Sequence, residues 1–99
     1  MIRRVIFTER ATLDIERIYE GLAIRFGKRR AGEAAEELYS HCLGFDLFPE
    51  RGRMRHDAEP GLRTVGYRRM ATIAFRVEPS QVTIVRIFAA GRDIRFDDL

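Results

Sequence analysis

The stretch that decides the fold runs from Met70 to Phe88 and reads MATIAFRVEPSQVTIVRIF. Two runs in it, 70–77 and 82–88, are rich in β-branched and aromatic residues, and the polar segment 78–81 with its proline separates them. Such runs favour strands, and a short loop between two of them favours a hairpin. We therefore predict two antiparallel strands joined by a tight connection.

Two further strand-like runs lie outside this hairpin. Leu62 to Tyr67 comes directly before it, and Gly66 is a candidate for a bulge or a bend. The apolar run VIF at 5–7 predicts another strand near the start of the chain.

Between these strands, apolar residues recur every three or four positions, which is the spacing of one face of a helix. The first series is Ala11, Ile15, Ile18, Leu22 and Phe26, and the second is Ala31, Ala34, Ala35, Leu38, Cys42 and Phe45. Thr8 is a candidate N-cap for the first helix, and Gly27 is suited to end it. The charged residues of this helix are assigned mostly to its other faces: Asp14, Glu16, Arg17, Glu20 and Arg25.

The order of elements predicts one α+β domain over residues 1–99. A short connection between two amphipathic helices favours an antiparallel helical hairpin. Residues 49–61 are interpreted as a polar connector, and three consecutive strands then form a meander. The expected architecture is β-α-α-β-β-β, with the hairpin packed on one face of a small, mainly antiparallel sheet.

Composition and charge limit the function. Hydrophobic residues make up 45% of the 99 residues and charged residues 33%, which is typical of a globular protein. One cysteine and two histidines cannot build a cysteine-rich zinc site, so neither metal nor cofactor is expected. Without an apolar run of about 18 residues or a signal-peptide pattern, we expect no membrane segment and a cytoplasmic location. Basic segments at 1–30 and 51–76 suit an anionic partner.

Each strand of the meander carries an arginine among apolar residues. These are Arg63, Arg76 and Arg86, with Tyr67 on the face of Arg63. If the three arginines lay on the sheet face away from the helices, they would form a basic cluster on an uncovered surface. Guanidinium groups bind carboxylates or phosphates with two hydrogen bonds, so such a cluster would be a docking site. The alternative is that each arginine pairs with a local acid such as Glu78 and only covers apolar surface.

The residues also resemble the ParE/RelE toxin superfamily over nearly the whole chain. In the first half the resemblance rests on Ala11, Asp14, Ile15, Ile18, Tyr19, Phe26, Gly27, Ala31, Ala34, Leu38, Phe48, Pro49, Gly52 and Arg53. In the second half it rests on the runs LR at 62–63, GYR at 66–68, IAFRV at 73–77, VTIVRI at 82–87 and GRD at 91–93. This half is similar to the ParE branch in particular.

The resemblance implies a bacterial toxin that a ParD-like antitoxin wraps and neutralises in a hetero-oligomer. ParE-type members inhibit DNA gyrase, whereas RelE-type members cut messenger RNA on the ribosome. The fold is shared by both, so the site residues must decide between them. An inactive member that only pairs with its antitoxin is a third, weaker alternative.

Cleavage of RNA needs a general base, a general acid and cationic groups. RelE-like nucleases draw on a histidine or tyrosine near the C-terminus, and the run FAAG at 88–91 supplies neither. His41 is interpreted as a helix surface or interface residue, and Cys42 as a buried apolar one. We therefore predict a binding protein with no catalytic residue. The alternative, a ribosome-dependent endoribonuclease, would bind RNA through Arg53, Arg55 and His56 together with the three strand arginines, and His56 would be its candidate acid.

For the antitoxin, we expect an amphipathic helix whose apolar face docks in a groove at a helix–sheet edge. Acidic groups of that partner would meet Arg63, Arg76 and Arg86. The charged tail from Arg92 to Leu99, with Phe96, is a candidate for contact with the antitoxin or the target, although ordinary fraying of a terminus explains such a segment equally well.

Overall fold

Five strands, two α-helices and one turn of 3-10 helix make up the computed structural model, which describes residues 3–55, 58–91 and 94. The elements are β1 (Arg4–Phe7), α1 (Glu9–Phe26), α2 (Lys28–Leu43), the 3-10 turn (Gly44–Asp46), β2 (Arg53–Met54), β3 (Leu62–Tyr67), β4 (Ala71–Val77) and β5 (Gln81–Ala89). The α+β class and the order of the predicted elements are confirmed. Within the described residues, no helix is both long enough and apolar enough to cross a lipid bilayer.

The strands form one sheet in the order β1-β5-β4-β3-β2. β1 runs parallel to β5, and the other three pairs are antiparallel. β2 lies inside the segment 49–61 that the sequence predicts to be a connector without strands. Its two residues are too few to show any alternation, so no periodicity could reveal it.

The helical hairpin has a connection of one residue, Gly27. The Thr8 hydroxyl accepts a hydrogen bond from the Ala11 N–H at 3.0 Å, so α1 begins at the predicted cap. Gly27 ends α1 and also precedes α2, and its φ of 89° is a value that favours glycine. The two helices fold back on each other and pack together, as expected from the sequence.

The main core lies between the hairpin and the sheet. Its largest buried side chains are Leu38, Phe45, Ile73, Phe75, Val82, Ile84 and Ile87. Burial of aliphatic and aromatic side chains of this size contributes about 1.5–3 kcal/mol each, which makes this layer the principal source of stability.

The opposite sheet face is not the uncovered surface that the sequence predicts. Leu62, Ala74, Val85 and Phe88 form a second buried cluster there, and Ala58 of the connector packs against it. The prediction is wrong because segment 49–61 was expected to be a polar loop, whereas part of it covers this face.

A β-bulge interrupts the side-chain alternation along β5. Ala74 is opposite Arg86, but the next residue of β4, Phe75, is opposite Ile84, so Val85 is the extra residue. The bulge puts Ile84 and Ile87 in the same core cluster although they are an odd number of residues apart. Such an insertion shifts the side-chain pattern of a strand by one position. Gly66, the predicted bulge site, pairs in regular register.

Candidate functional site

A buried ion pair ties α1 to β5. Arg86 donates to both carboxylate oxygens of Asp14, with Nε 2.8 Å from Oδ2 and Nη2 3.1 Å from Oδ1. Asp14 Oδ2 also accepts the Ile87 backbone N–H at 2.8 Å. Both side chains are at least 90% buried, with exposed fractions of 7% for Asp14 and 10% for Arg86. A two-pronged pair of this kind fixes both position and orientation.

The ion pair lies where β1 stops covering the edge of β5. β1 pairs with β5 only up to Ile84. Beyond that point the start of α1 takes over, since the Thr8 N–H donates to the Ile84 carbonyl at 3.0 Å and the Thr8 hydroxyl to the Val85 carbonyl at 2.7 Å. Asp14 then binds the Ile87 N–H. The first turns of α1 thus replace a strand along this stretch of the sheet edge, and they satisfy backbone groups that would otherwise be exposed.

A groove opens immediately beyond this junction. It has a volume of about 390 Å³ and lies between α1, the β3–β4 turn and the end of β5. Its lining residues are Asp14, Arg17, Ile18, Gly21, Leu22, Arg25, Arg69, Met70, Ile87, Ala89 and Ala90. This is a groove at a helix–sheet edge of the kind that the sequence analysis expects for a partner helix.

The groove has an apolar floor and a basic rim. Arg17, Arg25 and Arg69 are exposed, and each carries a positive charge at neutral pH. The single acid among the lining residues that the structure describes, Asp14, already binds Arg86 and a backbone N–H. The surface therefore suits an amphipathic segment that has apolar side chains on one face and carboxylates beside them.

The predicted arginine cluster does not form. Arg63 shares a strand face with Val65, which packs against the main core, and its guanidinium donates to the Arg51 carbonyl at 3.3 Å. Arg76 binds Glu59 of the connector at 2.7 Å and lies 4.0 Å from Glu78.

Arg86 is buried against Asp14, as described above. The expectation that these three side chains share an open face is therefore wrong. Of the three, Arg76 is the one that pairs with local acids, as the alternative supposed, whereas Arg63 binds a backbone carbonyl and Arg86 binds a distant acid.

Tyr67 and His41 meet in a separate cleft between α2 and the β3–β4 turn. Tyr67 is buried, and its ring centroid lies 4.6 Å from that of His41. Burial lowers the pKa of His41, and the charges of Arg51 and Arg68 lower it further. A neutral imidazole that packs on two aromatic rings is the interface residue that the sequence predicts.

The remaining sequence candidates fall into two groups. Arg53 is exposed on β2, and Arg55, two residues further along the chain, donates its backbone N–H to the Leu62 carbonyl at 2.7 Å. Their possible RNA-binding partner His56 lies outside the described residues, as do Arg92 and Phe96. Cys42 is buried, and burial raises the pKa of its thiol to about 12, so it remains protonated near neutrality.

The groove residues were not among the sequence candidates. The sequence groups Asp14 with the charged residues on the other faces of α1. However, Asp14 lies three residues after Ala11 and four before Ile18, so it belongs to the apolar face. An acid on an apolar face and an arginine within an apolar strand are two signals that, taken together, would have indicated a buried pair. No group of three or more histidine, cysteine or acidic side chains that could hold a metal occurs within the described segments.

Comparison with known proteins agrees with this architecture. The family model described as ParE toxin of type II toxin-antitoxin system, parDE, matches residues 5–94. The chain belongs to this ParE toxin family. A solved structure titled chromosomal ParDE TA system from P. aeruginosa is similar to the chain, with a TM-score of 0.78 and 23% identity over 90% of this chain and 97% of the other. No curated protein sequence matches the chain.

The match to the ParE family covers both sides of the groove. Residues 5–94 include α1, the β3–β4 turn and β5, which together form its walls. The described part of this ParE toxin therefore presents two distinct concave surfaces, the basic groove on α1 and the His41 cleft on α2.

The Asp14–Arg86 pair is expected to be essential for the fold of this ParE toxin. Asp14→Ala leaves a buried guanidinium without its carboxylate and should cost about 3–5 kcal/mol of unfolding free energy. Denaturant unfolding of the purified variant measures this loss. The double variant Asp14→Leu/Arg86→Met removes both charges and should be more stable than the single variant.

The matched control is Glu37→Ala, which removes the partner of Arg68 in an exposed ion pair of 2.7 Å. Its unfolding midpoint should stay close to that of the wild type because exposed pairs contribute little. A midpoint for Asp14→Ala no lower than that of Glu37→Ala would show that the buried pair does not hold α1 to β5.

Proposed function

We propose that this ParE toxin inhibits DNA gyrase by binding it, and that a ParD-like antitoxin neutralises the toxin by docking an amphipathic helix in the α1–β5 groove. Family membership supports the toxin assignment, and the similar structure from P. aeruginosa is titled as a ParDE system. The observation that carries the docking proposal is the combination of an apolar floor with three exposed arginines at one groove. The proposed site of action is the bacterial cytoplasm, where gyrase and an intracellular antitoxin would be found.

The charge of the groove favours an acidic partner. Arg17 and Arg25 project from α1 two turns apart, and Arg69 comes from the β3–β4 turn on the other wall. Because α1 supplies two of the three charges at fixed helical spacing, a partner helix lying along α1 can meet them with carboxylates at similar spacing. Complementary charges of this kind raise the rate of association and set the register of the complex.

Binding rather than catalysis fits the chemistry of these residues. Guanidinium groups keep their protons near neutrality and are poor acids and bases. Of the two other candidates for proton transfer or nucleophilic attack that the structure describes, Cys42 is a buried thiol with a raised pKa and His41 packs against Phe45 and Tyr67. The described residues therefore suit a protein that acts by binding its target.

The gyrase assignment is tested by adding the purified toxin to a DNA supercoiling reaction with gyrase. We expect supercoiling to be lost in proportion to toxin concentration and restored by the antitoxin. In cells, expression of the toxin alone should produce filamentation and a DNA-damage response while translation continues. Intact supercoiling together with cleavage of messages on programmed ribosomes would instead favour the endoribonuclease alternative, with Arg53 and Arg55 as RNA-binding residues.

The docking site is tested by reversing charge at the groove. The double variant Arg17→Glu/Arg25→Glu places like charges opposite the proposed acidic partner and should weaken toxin–antitoxin binding by about 10- to 100-fold. The matched control Arg29→Glu/Arg30→Glu makes the same change of charge at two exposed positions at the start of α2.

Isothermal titration calorimetry with the product of the short acidic reading frame that we expect beside this gene measures both affinities. If the two double variants weaken binding equally, the loss of affinity is due to the change in net charge alone. That result would contradict docking in the groove.

A further inference from the structure

The α1 residues that line the groove follow a specific geometric pattern. Those at 14, 17, 18 and 21 are spaced i, i+3, i+4 and i+7, and those at 18, 21, 22 and 25 repeat the same spacing. Four residues with this spacing form the diamond-shaped hole that accepts one side chain from a neighbouring helix. The groove face of α1 therefore carries two adjoining holes, and Gly21 is a corner of both.

Gly21 is not required by the fold of the toxin itself. It lies inside α1, where glycine costs roughly 0.5–1 kcal/mol relative to alanine. A Cβ placed on it would meet no atom within 4 Å, and its backbone shows no positive φ, so neither close packing nor helix geometry demands glycine here. The missing side chain instead leaves a notch in the helix surface that opens into the groove.

The residues nearest the notch are apolar, and the charged residues of α1 lie further along the helix. Ile18 and Leu22 flank it on α1, and Ala89 and Ala90 form a low wall on the other side. A Cβ built on Gly21 would have no neighbouring atom within 4 Å, so the groove has room at the notch. The local surroundings are therefore apolar and roomy, while the charged side chains stand one turn away along α1.

Arg17 and Arg25 lie four residues before and four residues after Gly21. Each thus projects one helical turn from the notch, on the same side of α1. The two α1 arginines are therefore placed symmetrically about the notch. The matching pattern on the partner is one large apolar side chain with a carboxylate about one turn before it and another about one turn after it.

We propose that the Gly21 notch is the specificity determinant of the groove: it receives a single large apolar side chain, leucine, methionine or aromatic, from the antitoxin helix, while acidic residues one turn to either side bind Arg17 and Arg25. This inference rests on the proposed function, because it takes the antitoxin to be the occupant of the groove. It adds the sequence pattern by which this toxin would distinguish its own antitoxin from others. A filled notch would reject a partner by steric overlap, whereas a partner with a small residue at this position would leave the notch empty and bind weakly.

The test fills the notch from the toxin side. Gly21→Leu should weaken binding of the purified antitoxin, the same acidic gene product as above, by about 100-fold, which corresponds to about 2.8 kcal/mol. The thermal stability of the free variant should equal or exceed that of the wild type, because leucine is the better helix former. In cells, this variant should arrest growth even when the antitoxin is present.

Gly32→Leu is the matched control. Gly32 lies inside α2, away from the groove, and a Cβ there also meets no atom within 4 Å. The Gly32→Leu variant makes the same change of residue and should bind the antitoxin like the wild type. Binding by Gly21→Leu within about threefold of that by Gly32→Leu, a difference under 1 kcal/mol, would overturn the notch proposal.

A variant of the antitoxin distinguishes specific filling of the notch from general obstruction of the groove by the new leucine. Shortening the antitoxin's large apolar residue to alanine should weaken its binding to the wild-type toxin but improve its binding to Gly21→Leu. Failure of every apolar position of the antitoxin to show this exchange would also overturn the proposal.

If Arg17→Glu/Arg25→Glu weakens binding while Gly21→Leu does not, the notch proposal is wrong and docking in the groove stands. If neither variant affects binding, docking in the groove fails as well.

Discussion

One carboxylate joins the two halves of this molecule. β1 is only four residues long, so β5 extends beyond it and has no strand partner on that side. Asp14 binds the Ile87 N–H of this stretch and so covers its edge. The same carboxylate neutralises Arg86 in the protein interior. Because a buried guanidinium without a partner is strongly unfavourable, any position of α1 that separates Asp14 from Arg86 is disfavoured. The place and width of the groove beyond the junction follow from that constraint.

This arrangement separates two roles for arginine in a chain that is rich in it. The strand arginines hold the fold together: Arg86 binds Asp14, Arg76 binds the connector acid Glu59, and Arg63 binds the carbonyl of Arg51. The arginines that border the groove come instead from the surface of α1 and from a turn. Their charges are exposed beside an apolar floor, which is the combination that an amphipathic acidic helix recognises.

The sequence predicts the layout of the chain better than the chemistry of its surface. The helical series ending at Gly27, the strand Leu62–Tyr67 and the hairpin after it were correct because each rests on local periodicity and turn residues. The side-chain alternation of β5 was not predictable, because the bulge at Val85 that breaks it has no local sequence signal. The burial of Asp14 depends on an arginine 72 residues away, a contact that neither local pattern contains. Each local pattern shows one member of the pair as an unusual charged residue, but the contact between them is located only when the elements are assembled.

The measurement that tests the account most directly is residue-resolved amide hydrogen exchange of the toxin, free and in complex with its antitoxin. Exchange should slow on binding at residues 17–25 of α1, at 69–70 and at 87–90, which border the groove. Exchange at residues 33–41, which border the His41 cleft, should stay unchanged. Protection confined to the cleft or to the far face of the sheet, with the groove segments exchanging as in the free toxin, would contradict it.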